Sequence, residues 1–319
     1  MKVLITGGAG YIGSILTEHL LARGDQVHAI DSLDHGDHSL FQFCANKNYQ
    51  FTKGDARDKS LMQRAVKDAD VIVPLAAMVG APVCAKDPER AKAVNFDAVV
   101  DLARMRSPSQ LVIYPNTNSG YGIGEGDVHC TEDSPLKPIS VYGRTKCDAE
   151  LALLDQPNVI TFRLATVFGA SPRMRIDLLV NHFTYSAVTD GYLVVFEAHF
   201  KRNYIHIRDV ADCMIYAVEN SKRMMGRPYN LGLDDAMTNG AGYLALAAVI
   251  FGNWKIGRTL LACLFFGAAT ALQFQLPAMG VDVPTALLIM LPYLMALVAV
   301  GGLVGRQTAP PYLTKAYVR

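Results

Sequence analysis

Charged residues are scarce in this sequence, and neither sign of charge dominates. Asp, Glu, Lys and Arg make up 18% of the 319 residues, and the formal net charge is +1. This balance gives no indication of a nucleic-acid partner or of a strongly polarised surface. The scarcity is local, because residues 238–305 carry only three charges, whereas residues 1–237 have the composition of a globular domain.

Paired cysteines are also missing. The six cysteines are scattered without a CxxC pair, and neither they nor the eight histidines have the spacing of metal ligands. We therefore expect reduced thiols and no metal site. The chain opens with MKVLITGG, which lacks the basic leader and the long apolar run of a signal peptide, so we expect the N-terminal domain to be cytoplasmic.

Short apolar runs alternate with helical stretches through the first 232 residues. The predicted strands are KVLITG, QVHAID, DVIVPLAA, QLVIYPN and NVITFRLA. Continuous apolar strands separated by helices indicate a parallel sheet that is covered on both faces. Because crossovers between parallel strands are right-handed, the expected fold is α/β with a doubly wound, Rossmann-type sheet.

A glycine-rich turn, TGGAGYIGS, follows the first predicted strand. Gly7, Gly10 and Gly13 carry no Cβ that would obstruct a diphosphate, and the helix starting near Tyr11 would point its free N–H groups at the anion. Asp31 ends the next strand, where a carboxylate accepts hydrogen bonds from ribose hydroxyls and repels a 2′-phosphate. A turn without a ligand is the alternative, but this context favours NAD over NADP.

A tyrosine and a lysine, Tyr142 and Lys146, stand four residues apart in VYGRTK, on one face of a predicted helix that runs to about Leu154. A free tyrosine is a poor base at neutral pH, but a lysine one turn away, together with the positive nicotinamide ring, would favour the phenolate and lower the tyrosine pKa. The phenolate could then take a proton from a sugar hydroxyl during hydride transfer to NAD⁺. On its own, a tyrosine and a lysine at this spacing usually lie on the solvent-exposed face of a helix and have no catalytic role.

These segments resemble a known family. TGGAGYIG, GDARD, YPNTNSGYG, VYGRTK and RNYIHIRDVADCMIYAVEN occur in the order typical of extended short-chain dehydrogenase/reductases, specifically nucleotide-sugar epimerases and dehydratases such as UDP-glucose 4-epimerase. The resemblance covers about residues 1–235. It implies a nucleotide-diphosphate sugar as the substrate and NAD as the cofactor. A homodimer formed through this domain is left open.

The resemblance also implies a role for individual residues. The implied cofactor-binding residues are Gly7, Gly10, Tyr11, Ile12, Gly13, Asp31, Asp55, Ala56, Ala76, Ala77, Asn95, Tyr142 and Lys146. The implied catalytic residues are Thr117, Tyr142 and Lys146, and the implied substrate-binding residues are Asn118, Asn181 and Arg202. Two alternatives stay open: Thr117 could be a strand-end hydroxyl that satisfies the backbone, and Arg202 could be a solvated loop arginine. His206 is expected to be structural.

Departures from the family pattern narrow the expected chemistry. The 4,6-dehydratases carry an Asp and a Glu directly after the catalytic Thr, whereas this chain has Asn118 and Ser119, which cannot supply an acid and a base at neutral pH. Epimerisation or keto-reduction through a 4-keto sugar is therefore favoured over dehydration. Thr166 replaces an Asn of many relatives, so the identity of the sugar stays open.

The C-terminal part of the chain has a different character. Residues 285–305 form an uncharged run long enough to cross a bilayer, and residues 259–276 form a shorter candidate. GYLALAAVIFGNW and MLPYLMALVAVGGLVG, within residues 238–319, resemble the C-terminal end of permease subunits of sugar and nucleoside ABC importers. Cationic residues lie before the first candidate span and after the second, which predicts that both ends of the hairpin lie in the cytoplasm.

The sequence therefore predicts a fusion joined near Ala236. Its first part is the enzyme domain with a truncated substrate lobe, and its second part is a hydrophobic helical tail that would anchor the chain in the cytoplasmic membrane through residues 259–305. The leading functional hypothesis is a nucleotide-sugar epimerase or reductase. The alternatives are a membrane transport component with a passenger domain, and an inactive cofactor-binding domain tethered to a membrane.

Overall fold

The computed structural model describes residues 1–123, 130–191, 193 and 202–232. The chain divides into two compact units, the first formed by Met1–Phe183 and Asn203–Leu233, the second by Thr184–Arg202 and Asp234–Arg319. The predicted enzyme domain, residues 1–235, stays a prediction; the first unit lacks its segment 184–202 and its residues 234–235. The predicted tail, with its candidate spans at 259–305, lies outside the described residues. Within the described ranges no helix is long and apolar enough to span a membrane.

A seven-stranded parallel sheet forms the centre of the first unit. Its strands follow the order β3-β2-β1-β4-β5-β6-β9. Their bounds are β1 (Lys2–Thr6), β2 (Gln26–Asp31), β3 (Tyr49–Lys53), β4 (Val71–Pro74), β5 (Leu111–Thr117), β6 (Val159–Leu164) and β9 (Arg227–Leu231). Two short parallel strands, β7 (Thr166–Phe168) and β8 (Tyr204–His206), pair separately. The predicted doubly wound Rossmann-type sheet is confirmed.

The helices alternate with the strands along the chain. They are α1 (Tyr11–Ala22), α2 (Lys59–Val66), α3 (Ala81–Lys86), α4 (Pro88–Lys92), α5 (Ala98–Met105), α6 (Val141–Leu154), α7 (Leu179–Thr189), α8 (Ile207–Glu219) and α9 (Ser221–Met224). A π-helical turn, Ala93–Asp97, connects α4 to α5, and Asn118–Tyr121 is a 3₁₀ turn. Side-chain oxygens cap several helix starts: Asp58 accepts from Ser60 and Leu61 before α2, Asp87 accepts from Arg90 before α4, and Ser140 accepts from Gly143 before α6.

Apolar side chains cover both faces of the sheet. Successive residues of β1 point to opposite faces, so Val3 and Ile5 pack in the layer that contains α1 and α8, while Leu4 packs in the layer of α2, α5 and α6. All three are at most 2% exposed. Burying one such side chain stabilises the fold by about 1.5–3 kcal/mol, so these two layers hold the sheet and the loops at its carboxyl edge.

The strand order reverses between β1 and β4, which are neighbours in the sheet although β2 and β3 separate them in sequence. The connections that leave these two strands therefore diverge, and a crevice opens at their carboxyl ends. The glycine-rich turn follows β1 and the segment with Ala76 and Ala77 follows β4. The fold thus brings both predicted cofactor-binding segments to the same edge of the sheet.

Candidate active site

The glycine-rich turn is packed too closely for side chains. Gly7 has a φ of +75°, and a Cβ there would lie 2.6 Å from the backbone nitrogen of Ala76. A Cβ on Gly13 would lie 2.4 Å from the carbonyl oxygen of Gly7. These two glycines are therefore required by the contact of the turn with α1 and with the loop after β4. Gly10, directly before α1, provides no side-chain cap, so the helix N-terminus keeps free N–H groups.

Asp31 stands at the carboxyl end of β2 beside this turn. Its Oδ2 accepts a hydrogen bond of 3.0 Å from the N–H of Ala9, and its Oδ1 accepts one of 2.8 Å from Leu33. Each carboxylate oxygen can accept more than one hydrogen bond, so Asp31 retains acceptor capacity for hydroxyl groups. Asp55 is engaged by the Arg57 side chain, which lowers the pKa of the Asp55 carboxyl. Ala56, next to it, is half-buried.

The loop after β4 is held by a buried amide. Asn95, in the π-helical turn, accepts a hydrogen bond of 2.8 Å from the N–H of Met78 and donates one of 3.0 Å to the Met78 carbonyl. Its amide nitrogen also lies 3.3 Å from the hydroxyl of Thr145 on α6. Asn95 therefore fixes the loop of Ala76 and Ala77 relative to α6, and its role in cofactor binding stays a prediction.

Helix α6 carries the predicted catalytic pair. Lys146 is 5% exposed, and its Nζ lies 4.0 Å from the centroid of the Tyr114 ring on β5. A cation over an aromatic face is stabilised by the ring quadrupole. Burial nevertheless lowers the pKa of Lys146 to about 7, against the opposing effect of Glu150. Burial raises the pKa of Tyr142 to about 12, and Arg175 is the group that opposes this rise.

These directions add to one expectation. The sequence pattern predicts that Lys146 and the positive nicotinamide ring lower the pKa of Tyr142; among the side chains of the structure the charge that lowers it is Arg175, and burial outweighs that charge. The physical reason is desolvation, which favours the neutral form of both side chains. A neutral lysine does not stabilise a phenolate, so Lys146 can act on Tyr142 only while it remains protonated.

Thr117 ends β5 and begins the 3₁₀ turn. Its hydroxyl oxygen accepts a hydrogen bond of 3.2 Å from the N–H of Ser119 and lies 2.9 Å from the Ser119 hydroxyl. The backbone-satisfying interpretation of Thr117 is therefore correct for its resting contacts. A hydroxyl keeps further hydrogen-bonding capacity, so these contacts leave room for a substrate oxygen. Asn118 donates a hydrogen bond of 2.6 Å to the Asn203 side chain.

Comparison with known proteins gives this geometry a context. The model of the NAD dependent epimerase/dehydratase family matches residues 3–232. The chain belongs to this family. Low-salt glycan biosynthesis protein Agl12 of Haloferax volcanii is 31% identical over 75% of this chain and 79% of its own length. UDP-glucose 4-epimerase of Lactobacillus helveticus is 28% identical over 75% of this chain and 78% of its own length.

Solved structures of this family have the same fold. DesIV, a dTDP-glucose 4,6-dehydratase from Streptomyces venezuelae solved with NAD and TYD bound, superposes with a TM-score of 0.66 at 25% identity. The superposition covers 77% of this chain and 81% of that one. These relatives are epimerases, dehydratases and a glycan biosynthesis protein. They give no support to the predicted likeness of residues 238–319 to an ABC permease, nor to the predicted fusion.

NAD, the cofactor of this family, suits the residues that the chain provides. The glycine turn leaves the α1 N-terminus open to an anion, and Asp31 stands at the strand end with free acceptor capacity. Anion binding at a helix start and ribose binding by a carboxylate are the two contacts that a dinucleotide requires of this fold. Gly7, Gly10, Gly13 and Asp31 are therefore the residues that would hold the cofactor.

Asn181 makes internal contacts that the sequence does not predict. Its Oδ1 accepts from the N–H of Gly169, and its Nδ2 donates to the Tyr11 hydroxyl at 3.1 Å and to the Arg175 carbonyl at 2.9 Å. The Tyr11 hydroxyl in turn donates to the Gly169 carbonyl at 2.7 Å. Both residues thus tie the loop after β7 to α1. Three of the four hydrogen-bonding positions of the Asn181 amide are filled internally, which leaves one for a substrate. The expected contact of Asn181 with substrate stays a prediction.

The remaining predicted residues lie as follows. Arg202 is exposed and belongs to the second unit, so its contact with a diphosphate stays a prediction. Ile12 is half-buried and packs against the apolar layer of α1. The Nδ1 of His206 accepts from the N–H of Arg208 at the start of α8, and its ring meets Phe168 edge-on, which are contacts that suit the expected structural role.

Two side chains of the site escape the sequence analysis. Tyr114 lies wholly buried under Lys146, and Arg175 acts on the pKa of Tyr142 from the loop after β7. The only signal for Arg175 is the cationic segment PRMR that follows a predicted strand. Nothing in QLVIYPN distinguishes Tyr114 from an ordinary core residue, because its role depends on the position of α6.

Proposed function

We propose that this chain is an NAD-dependent enzyme that epimerises or reduces a nucleotide sugar through a 4-keto intermediate. The observation that carries the proposal is that half-buried Tyr142 and buried Lys146 share one face of α6, the helix that Asn95 ties to the loop after β4 at the carboxyl edge of the sheet. Membership of the epimerase/dehydratase family supports it. The curated relatives include UDP-glucose 4-epimerases, which extends the support to epimerisation.

The proposed roles follow from the chemistry of each side chain. NAD, when bound, accepts a hydride from a sugar carbon and can return it. Tyr142 takes the proton of the hydroxyl on that carbon and gives it back when the ketone is reduced. Thr117 donates a hydrogen bond to the reacting oxygen. Lys146 binds the nicotinamide ribose and, while protonated, favours the phenolate of Tyr142.

Dehydration is the less suitable reaction for this site. Elimination of water needs a base that removes a proton from carbon and an acid that protonates the leaving hydroxyl, whereas the two positions after Thr117 hold Asn118 and Ser119. Asn118 is paired with Asn203, and Ser119 contacts Thr117. Neither side chain exchanges a proton near neutral pH. Epimerisation and keto-reduction need no further acid or base beyond Tyr142.

The test begins with the cofactor. The whole chain is purified in mild detergent and denatured, and the released NAD(H) is quantified against protein. Protein that carries NAD is then incubated with UDP- and GDP-sugars, and epimers or reduced products are identified by chromatography. Epimer formation that is lost in Tyr142→Phe, with NAD retained, is the expected result. Protein that binds NAD but converts no nucleotide sugar would contradict the proposal.

Two partner predictions accompany this proposal. Association with a membrane would run through residues 259–305, and a homodimer would form through the enzyme domain. Flotation of the whole chain with vesicles tests the first, and light scattering of the detergent-solubilised protein tests the second. Partitioning into the aqueous fraction would contradict the membrane prediction.

A further inference from the structure

A buried ion pair connects α6 to β6 behind the candidate catalytic residues. The Nε of Arg163 donates to Oε1 of Glu150 at 2.8 Å, and its Nη2 donates to the same oxygen at 2.7 Å. The Arg163 side chain is 5% exposed and that of Glu150 is 0% exposed. Burying two charges is costly, and such a pair is often replaceable by apolar residues without loss of stability. Its presence therefore calls for a reason other than stability.

The ion pair has a second set of contacts, and these surround Thr117. Asn116, the residue before Thr117, donates to Oε2 of Glu150 at 2.8 Å. Tyr121, which ends the 3₁₀ turn after Thr117, accepts a hydrogen bond of 2.8 Å from Nη1 of Arg163. The turn that carries Thr117 is thus anchored on both sides to a single pair of side chains.

Further hydrogen bonds fix the outer end of this arrangement. Nη1 of Arg163 also donates to the carbonyl of Glu132, at 2.9 Å. The Tyr121 hydroxyl donates to Asn230 on β9 at 2.5 Å, and the N–H of Asn230 donates to the Glu132 carboxylate at 2.7 Å. Arg163 is therefore held from three directions, and it cannot rotate away without breaking several hydrogen bonds.

Glu150 also influences the charge of Lys146. The two residues are four apart on α6 and so lie on the same face of the helix. Glu150 is the leading group that raises the pKa of Lys146 against the lowering caused by burial. The other titratable groups that act on Lys146, Glu150 or Tyr142 are Tyr114 from β5, Cys84 from α3, Cys147 from α6, Arg163 from β6 and Arg175 from the loop after β7.

We propose that the Glu150–Arg163 ion pair is a positioning unit for the candidate catalytic residues, which holds the Thr117 turn against α6 and keeps a negative charge one helical turn from Lys146. The pair touches neither substrate nor cofactor in this role. It acts through Asn116 and Tyr121 on Thr117, and through its charge on Lys146. The inference rests on the proposed function, because it assigns to these neighbours a role in that reaction.

The test uses three variants of the whole chain. Glu150→Gln removes the charge but keeps an acceptor for Arg163, and Tyr121→Phe removes the hydroxyl that joins the turn to Arg163 and to Asn230 while it leaves the ion pair itself in place. Glu219→Gln is the matched control, because it neutralises the acid of an exposed ion pair with Arg23. For each protein, kcat and KM are measured, and NADH affinity is followed against pH by nicotinamide fluorescence. Lys146→Met identifies the part of the pH dependence that belongs to Lys146.

The proposal makes a distinct prediction for each variant. In Glu150→Gln, kcat falls about tenfold or more with little change in KM, since misplaced groups lose rate rather than ground-state binding. Its Lys146-dependent midpoint for NADH binding moves to lower pH, because loss of the negative charge disfavours the protonated amine. In Tyr121→Phe, kcat falls while the midpoint stays unchanged. Glu219→Gln retains both wild-type values.

Two results would overturn the proposal. One is a folded Glu150→Gln protein with the wild-type kcat and the wild-type midpoint. The other is a wild-type kcat in Tyr121→Phe, which decides the question if Glu150→Gln does not fold. Failure of the proposed function looks different: the wild-type chain would bind NADH but convert no nucleotide sugar. In that case the pH midpoint of NADH affinity, compared between the wild type and Glu150→Gln, alone decides whether Glu150 controls the charge of Lys146.

Discussion

The buried lysine of α6 should give the protein a stability that depends on pH. Burial lowers the pKa of Lys146 from an ordinary value of 10.5 to about 7 in the folded chain. Between these two values the unfolded chain binds the extra proton, so unfolding becomes less favourable as the pH rises. Lys146 therefore lowers the free energy of unfolding at pH 7, and this destabilisation disappears as the pH rises from neutral to alkaline.

The size of the effect follows from the two pKa values. Linkage gives a rise in the free energy of unfolding of about 1.6 kcal/mol between pH 7 and pH 8.5. The interval ends there because burial raises the pKa of Cys147 to about 11. A thiol with a raised pKa changes the free energy of unfolding in the opposite direction. It lowers this free energy as the pH rises, once the cysteine of the unfolded chain begins to ionise near pH 8.5.

Urea unfolding of the whole chain without added cofactor measures this effect at a series of pH values. Lys146→Met keeps a side chain of similar length and cannot titrate, so its unfolding free energy should lack the rise over the same interval. Lys222→Met, at an exposed position of α9, is the control and should retain it. An equal pH dependence in wild type and Lys146→Met would refute the assignment of the low pKa to Lys146.

Three further predictions concern the cofactor and the reaction. Tyr142→Phe should reduce kcat by about 10²–10⁴-fold, because it removes the proton acceptor; unchanged NAD content in the released-cofactor assay shows that the fold is intact. Gly13→Ala should lose NAD, since its Cβ would lie 2.4 Å from the Gly7 carbonyl; stoichiometric NAD in this variant would contradict the packing argument. Asp31→Asn should weaken NADH binding and narrow the preference over NADPH, because an amide does not repel a 2′-phosphate; titrations with both nucleotides decide.

The central strands and the main site helix were predictable from the sequence alone. β1, β2, β4, β5 and β6 coincide with the predicted apolar runs, to within a few residues at their ends. Such strands are covered on both faces, so they require uninterrupted apolar sequence. α6 runs from Val141 to Leu154, which confirms the predicted end of the YxxxK helix.

The strands that the sequence analysis misses lie at edges or are very short. β3 is an outer strand whose residues are half-buried or exposed, so YQFTK lacks a continuous apolar run. β9 is the other outer strand and contains Pro228, which is tolerated only where a ladder hydrogen bond can be missing. β7 and β8 have three residues each, too few for a periodic pattern.

The site was predictable as a set of positions but not as a set of contacts. The spacing of Tyr142 and Lys146 places them on one helical face, and the structure agrees. Their pKa directions depend on burial by β5 and neighbouring helices, which spacing does not reveal. Likewise, Asn181 and Tyr11 are 170 residues apart, and their hydrogen bond arises from the way the loop after β7 returns to α1.

The opposing pKa directions of Tyr142 and Lys146 indicate where catalytic control resides. Desolvation favours the neutral form of each, so without neighbouring charges Tyr142 is a phenol and Lys146 is an amine that loses its proton near neutral pH. A phenolate needs a positive charge close by; Arg175 lowers the pKa of Tyr142 in the structure, and Lys146 can add a second positive charge only below its own pKa. Glu150 raises that pKa, and Arg163 holds Glu150 in place. The upper pH limit of the reaction should therefore depend on a charge that contacts neither reactant, because it decides how long Lys146 keeps its proton as the pH rises.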